Sequence, residues 1–208
     1  MDYRMMRRRM MLQSGGAEKA WDYEWDYSMG LLEDNGWTKT TSGTATSSMS
    51  ENGQKLTSAM NSYVRFENPH FSTMDVGVLE VRLSAKYLDG SGTQNFRISL
   101  SNGSNGVQVY ANRATVSGST GRGLKLLDNA IIHKGTLLAP FESGSEHTIR
   151  VELNHTTGAV YMDGTLLNAN VNVSSMLYCS ATRIWSQNQV GNDSETIIKS
   201  VKIRKGRL

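Results

Sequence analysis

Cysteine is almost absent: Cys179 stands alone in 208 residues. An internal disulfide is impossible, which excludes a small disulfide-stapled module, and Cys179 is expected to pack as a small apolar group. No apolar run approaches the roughly 20 residues that a membrane-spanning helix needs, so no membrane insertion is expected. The start, "MDYRMMRRRMMLQSGG", has basic residues but no apolar stretch behind them, and so lacks the build of a signal peptide. Also missing are a convincing long helix and any repeat that would announce a propeller or solenoid. Motifs of chemistry are absent too. No Gly-x-Ser-x-Gly elbow is present, Cys179 has no local partner motif, and no glycine-rich phosphate loop precedes a helix. His70, His133, His147 and His155 do not share one element at a metal-ligand spacing.

What is present reads as β structure. Twenty glycines and abundant Ser, Thr and Asn separate short Val/Ile/Leu runs. "YVRF" (63–66), "VLEVRL" (78–83) and "NFRISL" (95–100) alternate apolar and polar residues at the period of a strand. "SNGSNG" between "NFRISL" and "VQVYA" predicts a hairpin with a longer loop. "HTIRVELNHTTGAVYMDGTLL" (147–167) predicts a strand, a short loop ending at Gly158, a return strand and a tight Asp163-Gly164 turn. "ATRIWS" (181–186) and "TIIKSVKIRKG" (196–206) predict two late strands, the second with Val201 and Ile203 inward and Lys202 and Arg204 outward. "TVSGSTGRG" reads as loop, and "LKLLDNAIIH" (124–133) as strand pieces or one helical turn. Ten to thirteen strands without helical crossovers imply antiparallel pairing, and two packed sheets are the natural solution at this length.

The net charge of +3 is unevenly placed. Residues 1–13 hold four arginines against one aspartate, and residues 199–208 hold five basic residues and no acid, which leaves the rest at −5. Basic ends on a mildly acidic body do not make the basic stripe of a nucleic-acid binder, so nucleic acid is not an expected partner. Residues 1–20 read as an arm ahead of one domain at 21–208. Arg4, Arg7, Arg8 and Arg9 suit an acidic surface, and Met5, Met6, Met10 and Met11 suit an irregular apolar groove. The arm is thus expected to dock on a partner.

Residues 21–27, "WDYEWDY", alternate four aromatic residues with Asp22, Glu24 and Asp26. As a strand this buries the rings and leaves the carboxylates facing solvent or basic partners. A helix is the other option, because Trp21/Trp25 and Tyr23/Tyr27 are also spaced i, i+4.

"HTIRVELNHTTGAVYMDGTLL" resembles the late hairpin of the concanavalin A-like, laminin G-like (LamG-like) jelly rolls. "EDNGWTKTTSGTATSSMSENGQKLTS" (33–58) is similar to their opening segment and "IIKSVKIRKG" to their closing strand. The resemblance implies an all-β fold, a two-sheet antiparallel jelly-roll β-sandwich. It leaves several functions open, because the fold hosts lectins, glycosidases and plain structural modules. The glycosidase branch carries carboxylates at alternate positions of one strand, in the order Glu-x-Asp-x-(x)-Glu; Asp22, Glu24 and Asp26 reverse the residue types, so catalysis is not expected from them. Some relatives bind calcium, but Asp75, Asp89, Asp128, Asp163 and Asp193 are scattered singly, short of the six to eight oxygens calcium needs. Calcium is the one cofactor the resemblance admits. Sugar binding on this fold uses exposed aromatics beside amide groups. Trp185, with Gln187, Asn188 and Gln189, is the first candidate, and Tyr110 with Asn112 the second. The basic Met/Arg start joined to such a sandwich also resembles phage virion proteins. On that basis the expected function is a non-catalytic structural or adhesion component of a phage particle, made in the bacterial host cytoplasm and docked through its arm on other virion proteins or copies of itself. A carbohydrate-binding module for a cell-surface glycan is the alternative, and a divergent glycoside hydrolase the third.

Overall fold

Alternation at period two becomes strand wherever the sequence shows it, because each such run buries one face and solvates the other. The computed structural model describes residues 20–71, 74–87, 96–101, 106–116, 119–127, 136–173, 181–188, 194–206 and 208. Fifteen strands lie among them: β1 (Tyr23–Asp26), β2 (Thr38–Ser42), β3 (Thr46–Ser50), β4 (Gly53–Ser58), β5 (Ser62–Asn68), β6 (Val76–Tyr87), β7 (Phe96–Ser101), β8 (Gly106–Val116), β9 (Ser119–Leu127), β10 (Thr136–Pro140), β11 (Glu146–Asn154), β12 (Thr157–Met162), β13 (Thr165–Asn172), β14 (Ala181–Asn188) and β15 (Ser194–Lys205). One sheet has eight strands, in the order β13-β12-β11-β6-β15-β4-β3 with β1 also pairing β15. The other has seven, in the order β10-β9-β8-β7-β14-β5-β2. Every pairing described is antiparallel, and the two sheets form the expected concanavalin A-like jelly-roll β-sandwich.

The core lies between the sheets. Leu79, Val81 and Leu83 of β6, Ile149, Val151 and Leu153 of β11, and Val201 and Ile203 of β15 come from one side. Val64 and Phe66 of β5, Phe96, Ile98 and Leu100 of β7, and Ile184 of β14 come from the other. Antiparallel pairs without helical crossovers put each strand's apolar residues on this shared face, as the alternation predicts.

Three details differ from the sequence expectations. The loop between β11 and β12 is only His155 and Thr156, and Gly158 lies inside β12. A Cβ on Gly158 would stand 2.1 Å from Val107 Cγ2 of the opposite sheet, so the glycine is there for close sheet-to-sheet approach rather than for a turn. "TVSGSTGRG" is mostly strand: β8 runs to Val116 and β9 starts at Ser119, joined in an unbroken ladder from Gln108↔Leu127 to Val116↔Ser119. Ladder hydrogen bonds override the low strand propensity of its glycines. Strands also outnumber the expected ten to thirteen, because "TKTTS" and "TSSMS" form ordered edge strands despite their polar composition. The Asp163-Gly164 turn is as expected, with φ of 51° and 79°. Residues 1–19, including the basic arm, and Cys179 lie outside the described residues.

Candidate functional site

"WDYEWDY" resolves as a strand. β1 pairs the second half of β15, along the edge whose first half is taken by β4. Trp25 is buried at 1% exposure and donates Nε1–H to Gly30 O at 3.0 Å. Tyr23 is half-buried, accepts from Trp37 Nε1 at 3.0 Å and donates to Asn35 O. Burial pushes its phenol up to about 12, against the Trp37 hydrogen bond, which pulls it down. Tyr27 departs from the pattern and is exposed, because the chain leaves the strand there into a 3-10 turn. The three acids do structural jobs. Asp22 accepts the backbone N–H of Lys205 at 2.7 Å, Asp26 caps the turn through Ser28 N at 2.9 Å, and Glu24 lies 3.9 Å from Lys202. They share no closed pocket in which two carboxylates could flank a glycosidic bond.

Arg204, expected outward and wet, is 4% exposed. Its guanidinium lies 4.4 Å from the centroid of the Trp21 ring, and Lys202 Nζ lies 5.6 Å from it. The outer face of the eight-stranded sheet carries several further charge pairs. Arg82 and Lys199 both pair with Glu146, and Arg150 pairs with Glu152. Glu152, which also accepts from Tyr161 Oη at 3.2 Å, is only 8% exposed. In β-strand register Glu24, Lys202, Glu80 and Arg150 form one cross-strand row of alternating sign.

The outer face of the seven-stranded sheet is built differently. Thr182, Ile184 and Ser186 of β14 are buried toward the core, so Arg183, Trp185 and Gln187 point outward. Trp185 is paired in register with Arg65 on β5 and with Arg97 on β7. Arg65 is in turn opposite Thr40 on β2, and Arg97 is opposite Tyr110 on β8, whose partner on β9 is Lys125. The Arg97 guanidinium stacks on Trp185, with Cζ 4.1 Å from the ring centroid. The indole N–H donates to Gln187 Oε1 at 3.1 Å. Arg65 is half-buried, and its Nε is buried with no hydrogen-bond partner among the described residues. In the adjoining row, Arg183 Nε donates to Glu67 Oε2 at 2.7 Å, and Ser99 and Gln108 are buried.

Of the residues singled out from sequence, the structure brings Trp185 and Gln187 into direct contact. Tyr110 belongs to the Trp185 register row, two strands away, and Asn112 sits two residues further along β8, opposite Gly123. Asn188 ends β14 opposite Ser62. The side chains of Asn188, Tyr110 and Asn112, and Gln189 as a whole, lie outside the described residues, as do Arg4, Arg7, Arg8, Arg9, Met5, Met6, Met10 and Met11 of the arm. Sequence reasoning missed Arg65 and Arg97. The alternation in "YVRF" and "NFRISL" already turns both outward; their meeting at Trp185 depends on strand register between segments far apart in the chain.

No three His, Cys, Asp or Glu side chains gather in a metal-holding group among the described residues. Asp163 accepts from Thr148 N at 2.8 Å and pairs with His147 Nδ1 at 2.7 Å, and Asp75 lies 3.1 Å from His155. Burial raises the Asp163 carboxyl, but the bonds from His147 and Thr148 outweigh it and hold the group below its ordinary value. Asp89, Asp128 and Asp193 lie outside the described residues.

No family model matches the chain, and no curated protein matches its sequence. Solved structures match its fold. The metal-free carbohydrate recognition domain of Emp46p is 16% identical with a TM-score of 0.63, covering 91% of this chain and 100% of that one. The carbohydrate recognition domain of Emp47p is 16% identical with a TM-score of 0.63, covering 93% of this chain and 100% of that one. A sialidase is 14% identical with a TM-score of 0.64, covering 88% of this chain but only 18% of the sialidase.

Proposed function

We propose that this chain is a non-catalytic, lectin-like carbohydrate-binding domain whose site is the outer face of the seven-stranded sheet around Trp185. The observation that supports this best is the setting of Trp185. It is a half-buried outward indole, fixed by Arg97 stacked on its ring and by Gln187 on its N–H, with a second arginine in register beside it. An aromatic ring offers apolar area to the C–H face of a sugar, and fixed donors around it select hydroxyl positions. A side chain already held in one rotamer loses little entropy when the ligand arrives. The likeness to Emp46p and Emp47p carbohydrate recognition domains, over the whole length of each, agrees with this reading at the level of fold. The glycoside hydrolase reading lacks support from Asp22, Glu24 and Asp26, whose contacts are structural. The test is a glycan array probed with the wild-type chain and with Trp185→Ala. Wild type should bind a defined set of glycans and the variant should lose them; equal binding by both would place the site elsewhere.

A second reading, assembly into a phage particle through the arm, is favoured by the concentration of basic charge in residues 1–13, at +3, ahead of a domain whose residues 21–208 sum to zero. Deleting residues 1–16 should then leave the melting temperature nearly unchanged and abolish joining to a partner subunit. A sharp fall in melting temperature with assembly intact would refute it.

A further inference from the structure

We propose that the Trp185 site selects sugars that bear a carboxylate, through Arg65 and Arg97 on either side of the ring. The inference rests on the glycan-binding reading above and narrows it to a ligand class. β14 lies between β5 and β7, so the two arginines start from Cα positions about 10 Å apart, twice the strand spacing. Arg97 already covers one face of the indole, so a sugar would meet the rest of the ring with a guanidinium to either side. A guanidinium presents a planar fork of donors that matches a carboxylate two bonds at a time. Arg97 is already oriented by stacking on the indole at 4.1 Å. Arg65 has neither an ion pair nor a hydrogen bond among the described residues, and its Nε is already out of water.

The surrounding charges point the same way. Across the outward strand positions of β2, β5, β14, β7, β8, β9 and β10 the one acidic residue is Glu67, and Arg183 occupies it at 2.7 Å. Among the described residues the strands of this face therefore carry more positive than negative charge, and the one acid on them, Glu67, is paired with Arg183 rather than Arg65. Covering Arg65 with a neutral sugar would remove its remaining water without supplying a counter-charge, which is unfavourable. A carboxylated sugar supplies that charge. Discrimination thus comes both from attraction of the acid and from rejection of its neutral analogue.

The test uses the full chain on an array carrying carboxylated (uronate and sialate), sulfated and neutral glycans, followed by calorimetry on the strongest binders and their methyl esters. Wild type should prefer carboxylated glycans and lose affinity on esterification. Arg65→Gln and Arg97→Gln should each weaken binding by about ten- to a hundredfold, the range of a charge-assisted hydrogen bond. Arg65→Lys should restore only part of it, because an ammonium lacks the planar fork. Arg82→Gln, on the opposite sheet, should bind as wild type, and a thermal melt of each variant checks that it is folded. A preference for neutral or for sulfated glycans, or esters that bind as well as acids, would overturn the selectivity and leave the lectin reading standing. Failure of the folded wild type to bind any glycan class would overturn both.

Discussion

The two outer faces of this sandwich are both built on antiparallel strands, but they dispose of their charges differently. On the eight-stranded sheet many long charged side chains find a partner of opposite sign or an aromatic ring: Arg82 and Lys199 on Glu146, Arg150 on Glu152, Lys55 on Glu195, Arg204 on Trp21. On the seven-stranded sheet an indole stands between two arginines, and the one acid on the strands is taken up by a third. The first face is finished by its own residues. The second holds Arg65, which has no ion pair among the described residues; a buried unbonded Nε alone does not set it apart, because Arg150 on the first face has one too, but Arg150 also pairs with Glu152. Stability and binding are therefore expected to separate by face.

The largest effect expected from testing that separation is on the finished face. Glu152→Ala removes the acceptor of both Arg150 and Tyr161 from a nearly closed position. It should destabilise the fold by about 2–4 kcal/mol, read as a lower urea midpoint with an unchanged slope, while glycan binding by the folded protein stays as in wild type. A smaller effect concerns acid. Glu146 is held below its ordinary value first by the hydrogen bond from Lys199, then by Arg82, against partial burial. Asp163 is lowered by His147 and Thr148 despite burial. A carboxyl whose pKa is lower in the folded state contributes stability that is present above its unfolded pKa, near 4. That stability is lost as pH falls through the lower folded value. Asp163→Asn should accordingly narrow the stability difference between pH 6 and pH 2.5 in thermal melts; an unchanged difference would show that the His147 contact is not formed in solution. Arg65→Leu should move stability by less than about 1 kcal/mol, and upward if at all, because it replaces an unbonded half-buried cation with an apolar strand former. A loss comparable to Glu152→Ala would mean that Arg65 has a structural partner and that the contrast between the faces is false. Least of all, Asp22→Asn combined with Glu24→Gln should cost no more than about 0.5 kcal/mol, as for exposed contacts, and leave glycan binding intact.

Much of the fold was legible because it depends on local alternation. "VLEVRL", "TIRVEL" and "SVKI" name their inward residues directly, and the Asp163-Gly164 turn announces itself. What was not legible depends on which strand lies beside which. Gly158 reads as a turn residue until Val107 of the other sheet is seen 2.1 Å from its missing Cβ. Gln54 is polar yet fully buried, accepting from Leu32 N and donating to Glu33 and Ser47, which lie in segments the sequence does not place beside it. The site divides in the same way. Trp185 and Gln187 are two residues apart and could be paired from sequence. Arg65 and Arg97 are brought to them only by the β5-β14-β7 order, and the sequence contains no local signal for that order.

The most direct measurement is a titration of the chain's four tryptophan indole N–H signals by nuclear magnetic resonance, with Trp185→Ala assigning one of them. On adding a glycan identified by the array, the Trp185 signal should shift progressively and saturate, while those of buried Trp25 and Trp37 and of Trp21 on the opposite face stay in place. A saturating shift of Trp21 with Trp185 unmoved would put the ligand on the other sheet and contradict the account.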